Sequence, residues 1–206
     1  MTRSAVLFDM GSVLIGWEAR PPYRAHFDSE EALTGFLGGT FREIYDAVHD
    51  GDGSVAECLA PVRRRRPEAH DLIDVYEGWG AFITGVMEDS VAVVRDLHRR
   101  GVPLYGLSNW PAQTWPPTRV VADEGNDYAF LDLFEDIWIS GEHKLRKPDP
   151  ASYRSALERF GLEAREAVFV DDLPHNVEAA REFGIHAIHF TDAPTLRIEL
   201  ESLALL

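Results

Sequence analysis

Cysteine is almost missing from this chain of 206 residues: Cys58 stands alone. One thiol cannot build an intrachain disulfide framework or a thiolate metal cluster, so Cys58 reads as a buried, idle thiol. Long apolar runs are missing as well. No stretch approaches the roughly 20 residues a membrane helix needs. Residues 1–4 lead directly into an apolar strand with no apolar signal-peptide region, and the expectation is a cytoplasmic protein with no membrane partner. Positive charge is scarce: 20 Lys and Arg stand against 35 Asp and Glu, a formal net charge of −15. Such a surface repels nucleic acid and anionic lipid, which excludes both as expected partners. It also repels a phosphorylated small molecule unless a metal ion and local cations offset the field. The basic run at 63–66, four arginines before Pro67, reads as a solvated helix end whose cations complement the helix dipole. With 45% hydrophobic and 27% charged residues, the chain can hold one ordinary core plus a small insert.

The stretch at 5–14, AVLFDMGSVL, is where the pattern begins. Ala5, Val6, Leu7 and Phe8 predict a buried strand that ends on a carboxylate, Asp9. An ionised Asp is costly to bury without a partner, so it belongs at the strand's mouth, paired or metal-bound. Gly11 and Ser12 let the chain turn sharply and bring backbone close to a ligand. Residues 15–22 read as a linker or the start of an insert, and from Tyr23 to about Met87 the apolar spacing is helical, broken at Gly38-Gly39, at 50–53 and at Pro67. No strand is expected there. A helix over 90–100 with Ser90 as its cap precedes a second strand at 102–107, which ends at Ser108-Asn109. Residues 110–133 predict a loop plus one irregular helix. Further strands follow at 134–140, 168–170 and 185–190, separated by helices that stop at Gly161 and Gly184, and an amphipathic helix spans 195–206, whose Leu203 and Leu206 could dock on the core or on a partner. The oligomeric state is left open.

This alternation implies an α/β, doubly wound, Rossmann-like and mostly parallel five-stranded sheet. A small α-helical segment is inserted after the first strand. The division expected is a core of 1–16 and 88–206 with a helical cap of 17–87. Open sheets of this kind bind ligands beyond the carboxyl ends of their strands, a rule that selects Asp9, Ser108, Asn109, Asp171 and Asp172. Lys147 joins them from a loop. Adjacent carboxylates repel one another, so a site that gathers Asp171 and Asp172 with Asp9 calls for a hard cation: Mg²⁺ first, Ca²⁺ second.

In chain order, FDMGSVL, LSN, KPDP and VDDLPHNVEAA resemble the four motifs of the haloacid dehalogenase superfamily, in a small helical-cap form whose first motif reads Asp-x-Gly-x-Val. The resemblance covers nearly the whole chain. It implies that Asp9 is a nucleophile forming an aspartyl intermediate and that Ser108 and Asn109 hold the oxygens of the transferred group. It implies that Lys147 neutralises charge on the nucleophile and on the phosphoryl group. Mg²⁺ would be held by Asp9, Asp171, Asp172 and the Gly11 carbonyl.

The chain departs from that pattern at one position. Phosphatases of the superfamily usually carry a second Asp, a general acid, two residues after the nucleophile, and Gly11 stands there. A positioned proton donor is worth roughly 10²- to 10⁴-fold in rate. Glu18 is the candidate replacement, with His26, His143 and His175 as further possibilities. Three readings follow: a Mg²⁺-dependent phosphatase acting on a small phosphate monoester such as a sugar phosphate, a 2-haloacid dehalogenase, or a catalytically weak phosphate-binding domain. Trp17, Tyr23, Trp110 and Trp115 are the candidate walls of a substrate pocket.

Overall fold

The computed structural model describes residues 4–121 and 128–206. Strand β1 (Ala5–Phe8) is buried along its whole length, as a strand covered on both faces must be. The chain then forms β2 (Ile15–Trp17), α1 (Arg20–Tyr23), α2 (Glu30–Gly38), α3 (Thr40–Asp50), α4 (Val55–Arg65), α5 (His70–Glu77) and β3 (Ile83–Val86). It returns to the alternating pattern with α6 (Glu88–Arg99), β4 (Leu104–Ser108), β5 (Asp136–Ile139) and the short α7 (Ser140–His143). It closes with α8 (Pro150–Phe160), β6 (Ala167–Asp171), α9 (Pro174–Phe183), β7 (His186–His189) and α10 (Ala193–Ser202). Five strands form one parallel sheet in the order β5-β4-β1-β6-β7, and β2 with β3 forms a separate antiparallel ribbon.

Side chains alternate between the two faces of the sheet, and each face has its own core. Val6, Phe8, Val168 and Val170 point to one side, where Val91, Val94 and Leu97 of α6 and Leu196 and Leu200 of α10 meet them together with the helices between β2 and β3. Leu7, Leu107, Trp138 and Phe169 point to the other, against Tyr153 and Leu157 of α8 and Val177 and Ala180 of α9. Each large apolar side chain buried in this way contributes about 1.5–3 kcal/mol. Helices α8 and α9 stop where expected, on Gly161 and Gly184 in the left-handed conformation.

The α/β architecture and the five parallel strands agree with the sequence. Three local expectations do not. Residues 15–17 are no linker but one strand of the ribbon, paired with the unexpected strand β3. Prolines 21 and 22 lie inside the first turn of α1, where a missing N–H costs nothing. Helix α6 starts at Glu88, so Ser90 is a buried helical residue and not a cap; the acidic first turn, Glu88 and Asp89, complements the dipole instead. The C-terminal leucines, for which core and partner were both open, take the first: Leu205 and Leu206 are buried against the chain's own core. The irregular segment after β4 is a series of single 3₁₀ turns at Ala112–Thr114, Pro117–Arg119 and Tyr128–Leu133, and the part of that expectation falling on 122–127 lies outside the described residues. The arginine run does end α4, with Arg63 paired to Asp74 and Glu77 and Arg65 and Arg66 to Glu43. Among the described residues no helix is long and apolar enough to cross a membrane.

Candidate active site

The strand order puts β1 between β4 and β6, so the carboxyl ends of these three strands converge. Asp9 leaves β1 7% exposed. Its Oδ1 accepts hydrogen bonds from the Met10 N–H and the Ser108 hydroxyl, both at 2.7 Å, and its Oδ2 lies 3.0 Å from the Lys147 ammonium. Lys147, itself 3% exposed, also donates to Asp171 Oδ2 at 2.7 Å and to the Leu107 carbonyl at 2.8 Å. Asp171 is fully buried and further satisfied by the Leu173 N–H and the Asn176 amide. One lysine therefore serves two buried carboxylates, with a third, Asp172, half-buried beside them.

The charge balance shows in the acidities. Burial raises Asp9 to about 7, Lys147 opposes that rise, and the Asp171 charge adds to it. Burial also works against Asp171, but Lys147, the Leu173 N–H and Asn176 hold it below the usual carboxylate range. Asp172 is raised by burial and by Asp171. For Lys147, burial is outweighed by Asp171 and Asp9, which keep the ammonium charged. The cluster thus carries more negative charge than its one cation offsets. One oxygen from each of Asp9, Asp171 and Asp172 lies within 4.8 Å of the others, a hard oxygen set suited to Mg²⁺. Asp172 has its oxygens free of other side chains among the described residues, whereas those of Asp171 are already engaged, so Asp172 is the better placed direct ligand. The Gly11 carbonyl accepts no backbone hydrogen bond among the described residues.

A pH signature follows. An Asp whose folded value lies near 7, above its ordinary 3.8, binds its proton more tightly in the folded than in the unfolded chain, so its contribution to stability falls as pH rises from about 4 to about 7. In EDTA the melting temperature should decline between pH 5.5 and 7.5, and millimolar Mg²⁺ should flatten that decline; an equal slope with and without Mg²⁺ would separate Asp9 from any cation site.

Asn109 takes a different part from the one its position suggests. Its amide donates to the Lys147 carbonyl at 2.8 Å and accepts from the Lys147 N–H at 2.9 Å. The carbonyl and one of the two amide N–H groups are thereby committed to holding the lysine loop. A second strut reaches the same loop from α3: His49, fully buried, lies between Asp50 at 2.8 Å and the Ser140 hydroxyl at 2.5 Å, and Ser140 accepts the Trp110 N–H at 3.0 Å. Arg146 adds ion pairs to Asp46 and Asp50.

Above Asp9 opens a cavity of about 540 Å³, bounded by the strand ends on one side and by β2, α2, α3 and the turn after α5 on the other. Asp9, Ser108, Asn109, Gly11 and Asp172 all face it. Glu18 does not: strand β2 carries it to an exposed position off the cavity. His26 and His175 are exposed, and His143 stacks on Trp138 behind the sheet edge. Of the four aromatic candidates, Trp17 and Trp110 line the cavity, Tyr23 is buried among Phe36, Phe41 and Phe82, and Trp115 packs behind Trp110. Sequence reading missed Phe41, Arg42, Tyr45 and Trp79, which also line it. Phe41 and Tyr45 fall on the helical apolar spacing of residues 23–87, and helical spacing does not distinguish a core face from a cavity wall.

A family model for haloacid dehalogenase-like hydrolases matches residues 4–184. The chain is 34% identical over 204 residues to a protein of Aspergillus oryzae named sesquiterpene phosphatase, covering 98% of this chain and 97% of that one. It is 21% identical over 196 residues to the phosphoglycolate phosphatase of Vibrio vulnificus, with 90% and 82% covered. Among solved structures, a Bacteroides thetaiotaomicron enzyme of the same superfamily, in complex with magnesium and inorganic phosphate, superposes with a TM-score of 0.69 at 22% identity, over 94% of this chain and 98% of that one.

Proposed function

Because the chain belongs to the haloacid dehalogenase-like hydrolases, we propose that it is a Mg²⁺-dependent phosphatase of small phosphate monoesters, working through an aspartyl-phosphate on Asp9. The observation that carries this reading is the buried cluster in which one lysine faces two carboxylates at 2.7 and 3.0 Å, with a third carboxylate beside them. A dehalogenase attacking carbon has no use for that surplus of negative charge, whereas a phosphatase fills it with a metal ion. The names of the Aspergillus and Vibrio relatives favour the same choice. Residues 17–87 act as the cap over the site, and residues 1–16 with 88–206 form its core.

In this reading Asp9 attacks phosphorus with a carboxylate oxygen, held in aim by Met10 N–H and Ser108. Lys147 keeps the nucleophile ionised and carries positive charge toward the phosphoryl oxygens; Asn109 positions Lys147 rather than touching substrate. Asp172, Asp9 and the Gly11 carbonyl would hold Mg²⁺, with Asp171 behind them. Bound there, the ion supplies the positive charge that phosphoryl transfer draws on most. Arg42, exposed at the cavity rim and without an ion-pair partner among the described residues, meets the incoming phosphate against the −15 background. Purified protein should release phosphate from p-nitrophenyl phosphate with Mg²⁺ and lose at least about 10²-fold of that rate in EDTA, recovering when Mg²⁺ is restored. Activity indifferent to EDTA would sink the metal-dependent reading.

A further inference from the structure

Resting on the phosphatase reading, we propose that the alcohol half of the substrate is an apolar ring whose oxygen departs as a stabilised anion: an aryl (phenolic) phosphate rather than a sugar or alkyl phosphate. Two independent features of the cavity meet in this assignment.

The first is that, among the described residues, no free acid stands on the leaving side. When Asp9 forms its bond to phosphorus, the bond from phosphorus to the alcohol oxygen breaks and that oxygen keeps the electron pair. Gly11 presents no side chain to protonate it. Among the described residues the ionisable side chains that line the cavity are Asp9, Asp172, Arg42 and Tyr45. Asp9 is the attacking group and Asp172 belongs to the cation site. Arg42 is permanently charged, and the Tyr45 hydroxyl already donates to the Asn109 carbonyl at 3.2 Å, deep among aromatic rings that disfavour its ionisation. Glu18 and the three candidate histidines lie elsewhere. The leaving oxygen therefore takes its proton from water after departure, and water later attacks the aspartyl-phosphate to free phosphate and restore Asp9. A phenolate tolerates such unassisted departure. An aliphatic alkoxide does not.

The second feature is the wall. Trp17, Leu37, Phe41, Trp79, Trp110 and Leu173 face the cavity. Three of the polar side chains beside them are engaged by the protein, Asn109 with the Lys147 backbone, the Asn176 amide N–H with Asp171 and Tyr45 with the Asn109 carbonyl; apart from the phosphate end this leaves Ser12, Arg42 and the indole N–H groups of Trp17, Trp79 and Trp110 as polar groups of the wall. A sugar would lose water from its hydroxyls here and find few partners. A flat apolar ring finds aromatic faces.

The experiment compares kcat/KM, with Mg²⁺, for phenyl phosphate, cyclohexyl phosphate and glucose 6-phosphate. Phenyl and cyclohexyl groups match in size and apolarity and differ in the acidity of the alcohol released. Phenyl phosphate should exceed cyclohexyl phosphate by on the order of 10²-fold or more, and glucose 6-phosphate should lie at or below cyclohexyl phosphate. Trp17→Leu and, at the rim, Leu37→Ser should each raise KM for phenyl phosphate several-fold while leaving inhibition by inorganic phosphate unchanged. Equal rates for the phenyl and cyclohexyl esters would overturn unassisted departure, and preference for the sugar would overturn the apolar site. Either result leaves the phosphatase reading standing, whereas no turnover of any of the three would fell both.

Discussion

Exchange of Asp9 for asparagine should reduce Mg²⁺-dependent phosphate release by roughly 10⁴- to 10⁶-fold, the range seen when a covalent nucleophile is removed. Asparagine keeps the shape of the side chain. Its carbonyl can still accept the Met10 N–H and the Ser108 hydroxyl, each 2.7 Å from the present Oδ1. What it loses is the oxygen that attacks phosphorus, and in its place an amide N–H faces the Lys147 ammonium, donor against donor across 3.0 Å. The protein should nonetheless fold. Lys147 retains Asp171 and the Leu107 carbonyl, and a neutral amide escapes the burial cost that, with the Asp171 charge adding to it, raises Asp9 to about 7. Circular dichroism and a melting curve would confirm a folded variant, and a burst-phase assay would show whether any phosphoryl-enzyme forms. Residual turnover within tenfold of the parent protein would remove Asp9 from the chemistry.

A gain is expected at the neighbouring position. Gly11→Asp should raise kcat/KM for alkyl phosphates by roughly 10²- to 10⁴-fold, the ordinary worth of a positioned general acid, and change aryl phosphates little. Space permits it: a Cβ built on Gly11 meets only the Trp110 ring, at 3.9 Å, an ordinary contact, and the backbone there is not in the left-handed region. The new carboxylate would join three others, whose charge favours its protonated form, the one a general acid needs. An unchanged ratio of alkyl to aryl turnover would mean that proton donation to the leaving oxygen does not limit this enzyme.

Much of this site was legible in the residues because open parallel sheets obey a strong rule. Four apolar residues followed by Asp9, four followed by Asp171, and Leu107 followed by Ser108 are strand ends whose side chains converge once the strands are parallel. What failed did so for physical reasons. Strand β3 is four residues, with Gly85 at φ +117°, too short to display a period and placed directly after the aromatic turn at Trp79–Phe82. Glu18 sits close to Asp9 in sequence, but β2 runs between them and carries it away, so proximity along the chain gave a false neighbour. Asn109 was expected at the substrate because it follows Ser108. The lysine loop claims the carbonyl and one N–H of its amide, a long-range pairing that no local pattern announces.

The ribbon that escaped the sequence has a consequence for how such a protein can change. Trp17 pairs with Ile83, so the chain leaves toward the helices and comes back at points one strand spacing apart, about 4.8 Å. Topologically, everything between is a loop with its ends already fastened. The entropy of closing a loop grows only with the logarithm of its length, so residues can be added to or removed from the helices at little cost to the sheet that aims Asp9. The part of the cavity wall that Leu37, Phe41 and Trp79 contribute is therefore free to evolve at a different rate from the strand ends around Asp9, and a change of wall need not be a change of chemistry.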